Sequence, residues 1–369
     1  MCNTILFLRS RVLSYSSEEV FFKQMIKQFG KAGFQTKVCF LGAIETEEER
    51  LRGLIGKKYR AIVDINSTLP VVTVDGKYLL DLIDAPFYQV ILDHPMHLDE
   101  RLRALLGNYH VVCVDAGHAA YVKSHYPHIK SVQTMHYPGI KARNEIPFEQ
   151  RTYKLLFAAT YAPLDFFEEK IKGISEKIWV LSGEILEQMK AGAGFETAVE
   201  KVCKDRLLTP YKNLAPLSYV DRYIRAWERE HLVDAFLEYE IPLTVCGINW
   251  DLYPKASHKL LHWSGSCSYE KIIEMEANAK AILNLQPLFT EGLHDRGANA
   301  FANGCALITD GCSFLTEKMD DGYALFDVWK KEGYDRIRGL MTREEELKVL
   351  AQNGQEEWKK QNLKWMFSL

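Results

Sequence analysis

The sequence predicts an α/β protein with two domains, each built around a parallel β-sheet, and three observations support this prediction. The chain has 369 residues, which at roughly 100–200 residues per domain is enough for two. Short apolar runs rich in β-branched residues alternate with amphipathic stretches, which is the signature of βαβ units. A polar stretch over 141–151 divides these runs into two sets. We therefore expect one Rossmann-like domain over 1–145, a second over 152–345, and a C-terminal helix over 346–369.

The first domain contains six predicted strands. They are Thr4–Leu8, Thr36–Leu41, Ala61–Ile65, Phe87–Leu92, His110–Val114 and Ser131–Met135. Helical patterns such as Glu18–Phe29 and Asp99–Leu106 lie between them. Because the strands are almost continuously apolar, we expect each of them to be buried on both faces, as in a parallel sheet.

The second domain repeats the pattern around a long helical insertion. Its predicted strands are Lys154–Thr160, Pro242–Gly247, Ala281–Leu285 and Cys305–Thr309. The first two are separated by residues 162–241, in which Tyr219–Tyr239 has apolar side chains at helical spacing. The stretch Thr342–Trp365, rich in Glu and Lys, predicts one or two amphipathic helices.

The composition excludes several classes of protein. With 47% hydrophobic and 26% charged residues, the chain is neither disordered nor fibrous. A net charge of -3 provides no overall positive field to attract nucleic acid or an anionic membrane. The eight cysteines are scattered singly, and we find neither a signal peptide nor an apolar run of 18 residues. These features predict a cytoplasmic protein with reduced thiols.

Polar residues follow the predicted strands of the first domain. Asp93 and His94 come directly after the fourth strand, and Asp115 with His118 after the fifth. Ligands bind at the carboxyl ends of parallel strands, so Asp93, His94 and His118 are catalytic candidates. Two alternatives remain: such residues cap the next helix, as Asp115 would, or they hold a metal ion. Because no established metal-binding spacing is present, we expect no metal.

The densest group of candidates lies in the second domain. A strand ends at Asn284, a loop carries Glu291 and Gly292, and a helix is predicted to begin near His294 and to end at Gly304. Free backbone N–H groups and a fixed cation at a helix start favour a diphosphate, and Arg296 provides the cation. The alternating alanines of 298–302 predict that this helix lies close to its sheet.

This segment resembles the sugar-nucleotide site of retaining glycosyltransferases with the GT-B fold. Those enzymes carry E-G, six residues and then E-A-x-A-x-G before an apolar strand. Here Glu291-Gly292 is followed at the same spacing by Asn299-Ala300-Phe301-Ala302-Asn303-Gly304. The departure is Asn299, which stands where the family has a Glu that holds the ribose hydroxyls.

The chain is more closely similar to bacterial glycosyltransferases of the spore-maturation type and to related family 1 or 4 enzymes. In that group an Arg precedes the helix, as Arg296 does, and the sequence has further similar points at Tyr223-Ile224-Arg225, Asp93-His94-Pro95 and Asp321-Gly322. The resemblance implies a set of donor-binding residues beside the candidate catalytic Glu291. They are Arg296, His294, Asp295, Asn299, Gly265, Tyr269, Gly247, Trp250, Asn284 and Thr160.

The resemblance implies two Rossmann-like domains facing each other across a cleft, with the last helix crossing back to the first domain. The first domain would bind the acceptor and the second a UDP- or GDP-linked sugar, without another cofactor or a metal. The resemblance favours retention, a course in which the leaving phosphate itself can take the acceptor's proton. In an inverting reaction His94, Asp93 or His118 would act as the base. Expected acceptors are a protein, a glycan or a lipid-linked sugar, and not a nucleic acid.

Two other functions stay open. The same fold supports sugar-nucleotide epimerases and hydrolases, which would convert the donor without an acceptor beyond water. The protein is alternatively a catalytically inactive nucleotide-sugar-binding partner, which the departure at Asn299 would favour. A dinucleotide-dependent dehydrogenase is disfavoured, because no G-x-G-x-x-G follows the first strand.

Overall fold

The computed structural model describes residues 2–10, 16–41, 49–208, 214–286 and 289–369, and the chain divides into two compact units. Unit 1 contains Met1–Tyr137 and Leu363–Leu369, and unit 2 contains Pro138–Asn362. In the part of the chain that the structure describes, no helix is both long enough and apolar enough to span a membrane.

Unit 1 is built on a six-stranded parallel sheet in the order β2-β1-β3-β6-β7-β8. Its strands are β1 Thr4–Ser10, β2 Gln35–Leu41, β3 Ala61–Ile65, β6 Phe87–Ile91, β7 Tyr109–Cys113 and β8 Ser131–Thr134, with a small hairpin of β4 Thr73–Val74 and β5 Lys77–Tyr78. Its helices are α1 Ser16–Lys31, α2 Asp99–Leu102 and α3 Ala116–His125.

Burial along this sheet corrects one expectation. Strands β3 and β6 are buried along their whole length, as predicted. Strand β2 is largely exposed and β8 is only half-buried, so burial on both faces is wrong for these two. Both lie at the edges of the sheet, where each has a neighbour on one side only.

The C-terminal segment Leu363–Leu369 belongs to unit 1 through aromatic packing. The Trp365 ring stacks on Tyr137 at 5.0 Å between centroids, and Phe367 lies 5.3 Å from Phe29. The backbone of Ser368 exchanges two hydrogen bonds with the Gln133 amide, at 2.9 and 3.1 Å. The return to unit 1 is thus made by these seven residues.

Unit 2 is also built on a six-stranded parallel sheet, in the order β11-β10-β9-β12-β13-β14. Its strands are β9 Tyr153–Ala158, β10 Leu243–Cys246, β11 Leu261–Trp263, β12 Ala279–Asn284, β13 Ala306–Thr309 and β14 Tyr323–Leu325. Strands β11 and β14 were not predicted from the sequence. Each has only three residues and gains its hydrogen bonds from a single neighbouring strand.

The predicted helical insertion is confirmed for its described residues, and residues 209–213 lie outside them. It contains α4 Leu164–Ile174, α5 Glu176–Lys190, α6 Phe195–Asp205 and α7 Leu214–Glu238. Helix α7 joins the insertion to the sheet, since Leu232, Val233 and Phe236 are fully buried in the unit 2 core. The remaining helices of unit 2 are α8 Tyr269–Ala277, α9 Asp295–Ala302, α10 Ser313–Lys318, α11 Glu332–Thr342 and α12 Glu344–Gln361.

Candidate functional site

The strand order of unit 2 places a crevice at the carboxyl ends of β9 and β12. From β9 the chain proceeds to β10 on one side of the sheet, and later to β12 on the other side. Open α/β sheets bind ligands at such a point, where the direction of strand addition reverses. The candidate site of unit 2 therefore begins with the residues that follow Ala158 and Asn284.

Arg296 lies at this point because its guanidinium is bonded to both strand ends. Its Nε donates to the Ala158 carbonyl at 2.9 Å, and its Nη1 donates to Asn284 Oδ1 at 2.8 Å. Asn284 is itself fully buried and donates to Thr309 Oγ1 at 2.9 Å. Burial lowers the pKa of Arg296, and the neighbouring Asp295 and Glu276 oppose that shift. Arg296 is thus a fixed cation at the crevice.

A second arginine, which the sequence analysis missed, is held at the same strand end. Arg229 of α7 donates from Nη1 to the Thr160 carbonyl at 2.7 Å, and its buried Nε has no hydrogen-bond partner. Its pKa is lowered to about 9, first by burial and then by repulsion from Arg296 and Arg225. Guanidinium groups that repel one another, with an unsatisfied donor, form a site suited to an anion.

Two carboxyl groups near these arginines have raised pKa values. Burial raises the pKa of Glu228 to about 8, and the neighbouring Asp310 and Asp221 add to the shift. Burial likewise raises the pKa of Asp310 to about 7, although its oxygens accept the Gln286 N–H at 2.9 and 3.1 Å. Near neutral pH both groups are partly protonated, so they compensate the arginine charge only in part.

The loop that carries Glu291 is held by its backbone. The Gln286 side chain accepts the His294 N–H at 2.9 Å, and the Glu291 carbonyl accepts the Phe314 N–H at 3.1 Å. Glu291 itself is exposed. These two bonds connect His294 to the residues after β12 and Glu291 to the start of α10, while the Glu291 side chain lies at the surface.

The start of α9 is built from the predicted residues, with a different use of Tyr269. His294 is the N-cap and accepts the Arg296 N–H at 3.3 Å. The Tyr269 hydroxyl donates to Asp295 at 2.5 Å. Burial alone would raise the pKa of Asp295, but His294 and Tyr269 outweigh it and hold that pKa well below its ordinary value. Tyr269 is buried and supports the helix start instead of presenting its ring to a ligand.

Asn299 occupies a buried hydrogen-bond network within unit 2. Its amide nitrogen donates to Glu276 at 3.1 Å and contacts the Tyr269 hydroxyl at 3.2 Å, while its oxygen accepts the Ile140 N–H at 2.8 Å. Burial raises the pKa of Glu276 to about 8, and Asp295 adds to this. The amide thus anchors the segment that begins unit 2, and its contacts are all to protein groups.

The small side chains of α9 make room for that same segment. Gly139 has φ +72°, and a Cβ at this position would lie 2.4 Å from the Ala298 carbonyl oxygen and 2.7 Å from the Ala302 Cβ. The alanines therefore allow the chain at residue 139 to lie against the helix, a contact that the sequence analysis did not anticipate.

Glycines shape the neighbouring end of β10. Gly247 has φ +143°, and a Cβ there would lie 2.2 Å from the Ala159 carbonyl oxygen. Its N–H donates to the Gly265 carbonyl at 3.1 Å. Trp250 is fully buried, and its Nε1 donates to the Ala159 carbonyl at 2.7 Å. Trp250 is a core residue that fixes the strand end, and Gly247 allows the backbone to approach Ala159 closely, whereas a Cβ at Gly265 would lie in open space.

In unit 1 the predicted residues divide into two groups. His94 and His118 are buried with ring centroids 4.9 Å apart, and His94 Nδ1 accepts the Met96 N–H at 3.2 Å. Asp115 caps α3 by accepting the His118 N–H at 2.9 Å. Asp93 is exposed and accepts a hydrogen bond from Asn66 at 2.9 Å.

Below these strand ends lies a buried acid that the sequence analysis did not select. Asp64 of β3 accepts a hydrogen bond from the Ser67 hydroxyl, and its second oxygen has no partner. Burial raises its pKa to about 7, although Ser67 and Arg101 oppose the shift. Arg101 donates to the Asn66 carbonyl at 2.6 Å.

Within the described residues, no group of three or more His, Cys, Asp or Glu side chains is arranged to hold a metal ion.

Comparison with solved structures identifies the architecture. T4 phage BGT in complex with UDP-glucose is similar over 97% of this chain and 95% of its own, with a TM-score of 0.55 at 10% identity. The chain has the GT-B fold. Its two Rossmann-like units, each with a six-stranded parallel sheet, confirm the predicted fold class.

Two further GT-B structures are similar at the same level. An alpha-glucosyltransferase in complex with UDP-glucose and DNA containing an abasic site has a TM-score of 0.57 at 10% identity, over 96% of this chain and 94% of its own. Sucrose-phosphate synthase from Thermosynechococcus elongatus has a TM-score of 0.53 at 11% identity, over 97% and 94%. No family model and no curated protein matches the sequence.

Proposed function

We propose that the protein is a glycosyltransferase that takes a sugar from a nucleoside-diphosphate sugar bound at the crevice of unit 2. The observation that carries this proposal is the pair of arginines at the end of β9, bonded to the carbonyls of Ala158 and Thr160. A diphosphate placed there would relieve their mutual repulsion and satisfy the free N–H of Arg229. The structurally similar enzymes that bind UDP-glucose make UDP the first donor nucleotide to test.

The arginines would also carry the largest catalytic effect. When the glycosidic bond breaks, negative charge grows on the departing diphosphate, and a preorganised cation stabilises that charge most. Arg296 is fixed by two hydrogen bonds before any ligand arrives, so little reorganisation is needed. Because the charge comes from guanidinium groups, we propose a reaction that is independent of a metal ion.

The remaining donor-site residues have proposed supporting functions. Glu291, which is exposed, is proposed to contact hydroxyls of the donor sugar. His294 and Asp295 hold the start of α9, and the positive end of that helix dipole favours a phosphate. Asn299 lies within α9 and is not proposed as a ribose ligand, since its amide is engaged by Glu276, Tyr269 and Ile140.

Unit 1 is proposed to bind the acceptor at the carboxyl ends of β6 and β7. Retention is the proposed stereochemical course, with the leaving phosphate accepting the proton of the acceptor hydroxyl. For inversion, Asp93 is the exposed base among the candidates, whereas His94 and His118 are buried.

We propose a glycan, a protein or a lipid-linked sugar as the acceptor. DNA, which is present in the complex of the similar alpha-glucosyltransferase, is disfavoured by the net charge of -3.

The function is tested by titration calorimetry followed by product analysis. We expect UDP or GDP to bind with the same affinity in the presence and absence of EDTA. With the matching nucleotide sugar, a panel of glycan, peptide, lipid-linked and DNA acceptors should yield one glycosylated product. Conversion of the donor in water alone, at the same rate without any acceptor, would instead favour a hydrolase or epimerase. Binding without any turnover would favour the inactive binding partner.

A further inference from the structure

We infer that Cys246 and Cys267 form an oxidisable thiol pair whose disulfide controls the nucleotide crevice of unit 2. Their Sγ atoms lie 3.5 Å apart, although the residues are 21 positions apart in the chain. Cys267 Sγ also lies 3.8 Å from the Met275 sulfur. The inference that the disulfide affects nucleotide binding rests on the proposed function, whereas the formation of the disulfide does not.

The backbone around the pair already brings these two segments together. Strands β10 and β11 are parallel neighbours, and beyond them the Gly247 N–H donates to the Gly265 carbonyl at 3.1 Å. Cys246 ends β10, and Cys267 lies two residues after Gly265. A disulfide needs a sulfur separation of about 2.05 Å, so the two sulfurs must approach by about 1.5 Å. The loop at 264–268, which carries Cys267, would have to shift to allow this approach.

The two thiols differ in a way that assigns their order of reaction. Cys246 is buried and Cys267 is partly exposed. Burial, together with the hydrogen bond to Cys267, raises the pKa of Cys246 to about 12. Since the thiolate is the nucleophile and an external oxidant must reach it, Cys267 reacts first and Cys246 closes the bond.

The reaction balances with a small-molecule disulfide, such as oxidised glutathione, as the oxidant. The Cys267 thiolate attacks one glutathione sulfur and expels the other as a thiolate, which takes up a proton. The Cys246 thiolate then attacks Cys267 Sγ in the mixed disulfide and expels the second glutathione. The two cysteines lose two protons and two electrons, and two molecules of reduced glutathione form.

The position of the pair connects its oxidation to the crevice. Gly247, next to Cys246, lies against Ala159, between the two carbonyls that Arg296 and Arg229 hold. Cys267 precedes Ser268, the N-cap of α8, and the first residue of α8 is Tyr269, which donates to Asp295. A disulfide would therefore pull together the strand end that carries the arginine contacts and the helix that supports α9.

The test is controlled oxidation of the full chain with oxidised glutathione, followed by peptide mapping. We expect a linked pair of peptides containing Cys246 and Cys267, and affinity for UDP at least about threefold weaker than in the reduced protein. Reduction with dithiothreitol should restore the affinity. Cys267→Ser should make UDP binding insensitive to oxidation, whereas Cys39→Ser, a partly exposed cysteine of unit 1, should leave the sensitivity unchanged.

Cys246→Ala provides a second variant that separates the two steps. It should retain one glutathione on Cys267 after oxidation, because the closing thiol is absent. Oxidation of other cysteines without the Cys246–Cys267 link would overturn the inference. A mapped link with unchanged UDP affinity would overturn the control of the crevice. If the reduced protein binds no nucleotide, the proposed function fails, while peptide mapping still decides whether the thiol pair forms a disulfide.

Discussion

The two sheets have the same number of parallel strands, but the groups at their carboxyl ends differ in charge. In each unit an arginine donates to a strand-end carbonyl: Arg101 to Asn66 in unit 1 and Arg296 to Ala158 in unit 2. Near Arg101 lies Asp64, a buried acid, whereas near Arg296 lie the acids Asp295 and Glu276 together with a second arginine, Arg229. The strand order creates a crevice, and the charges of the side chains around that crevice determine which class of ligand it can bind.

The comparison is tested most strongly by removing one arginine from each unit. Arg296→Ala should weaken binding of the preferred nucleoside diphosphate by at least about a hundredfold, because a charge-assisted clamp on a phosphate is lost. Arg101→Ala should leave that affinity unchanged. Calorimetry on both purified variants measures the difference.

A folding control accompanies this pair. Arg296→Lys keeps a positive charge but not the planar donor fork, and it should bind more weakly than the parent and more tightly than Arg296→Ala. Thermal unfolding without ligand shows whether each variant is folded. Equal losses of affinity in Arg101→Ala and Arg296→Ala would mean that nucleoside-diphosphate binding does not depend on unit 2 more than on unit 1.

The next largest effect is expected at Asn299, on the stability of unit 2. Asn299→Glu would bury a second carboxyl next to Glu276 and would remove the amide that donates to it. We expect a loss of about 3 kcal/mol in the free energy of unfolding, measured by chemical denaturation. Adding Glu276→Gln should recover part of this loss. A stable Asn299→Glu protein with tighter nucleotide binding would show instead that residue 299 contacts the ribose.

Arg229 should have a smaller effect on nucleotide affinity than Arg296. Arg229→Gln can keep a hydrogen bond to the Thr160 carbonyl while it removes one positive charge, and we expect affinity about tenfold weaker. Arg222, an exposed arginine of the same helix, supplies the matched control. Arg222→Gln should bind like the parent, and a comparable loss in both variants would argue for a general charge effect.

The last prediction concerns the pH dependence of stability in unit 1, where the change over each single pH unit is small. The pKa of Asp64 is raised from its ordinary value of 3.8 to about 7 in the folded protein. Its contribution to stability is therefore complete below about pH 4 and is lost as the pH rises to about 7. Relative to the parent, Asp64→Asn should become more stable across this window by about 1 kcal/mol per pH unit. Parallel stability curves for the two proteins would contradict the assignment.

Sequence patterns predicted the central strands well because burial on both faces leaves a continuous apolar run. Strands β3, β6, β12 and β13 are of this kind. The edge strands β11 and β14 escaped prediction because three residues pairing with one neighbour leave little trace in the sequence. The exposure of β2 could not be predicted either, since it depends on which strand lies at the edge of the sheet.

The candidate site was predictable where its residues are contiguous in the chain. Arg296, Asn284 and His294 lie in one short segment, so a strand end and a helix start placed them together. Arg229 lies in a helix of the insertion, far from that segment in sequence. There the charged residues have the spacing of a solvent-exposed helix face. Only the packing of α7 on the sheet brings it to Thr160. Likewise, the burial of Tyr269 and Asn299 depends on Glu276 and Ile140, which no local pattern connects to them.

The most direct test of the central claim is a crystal structure of the protein with bound UDP. We predict that the diphosphate lies at the carboxyl end of β9, within hydrogen-bond distance of the Arg296 and Arg229 guanidiniums. A diphosphate bound instead at the strand ends of unit 1, or in unit 2 without contact to either arginine, would contradict the account.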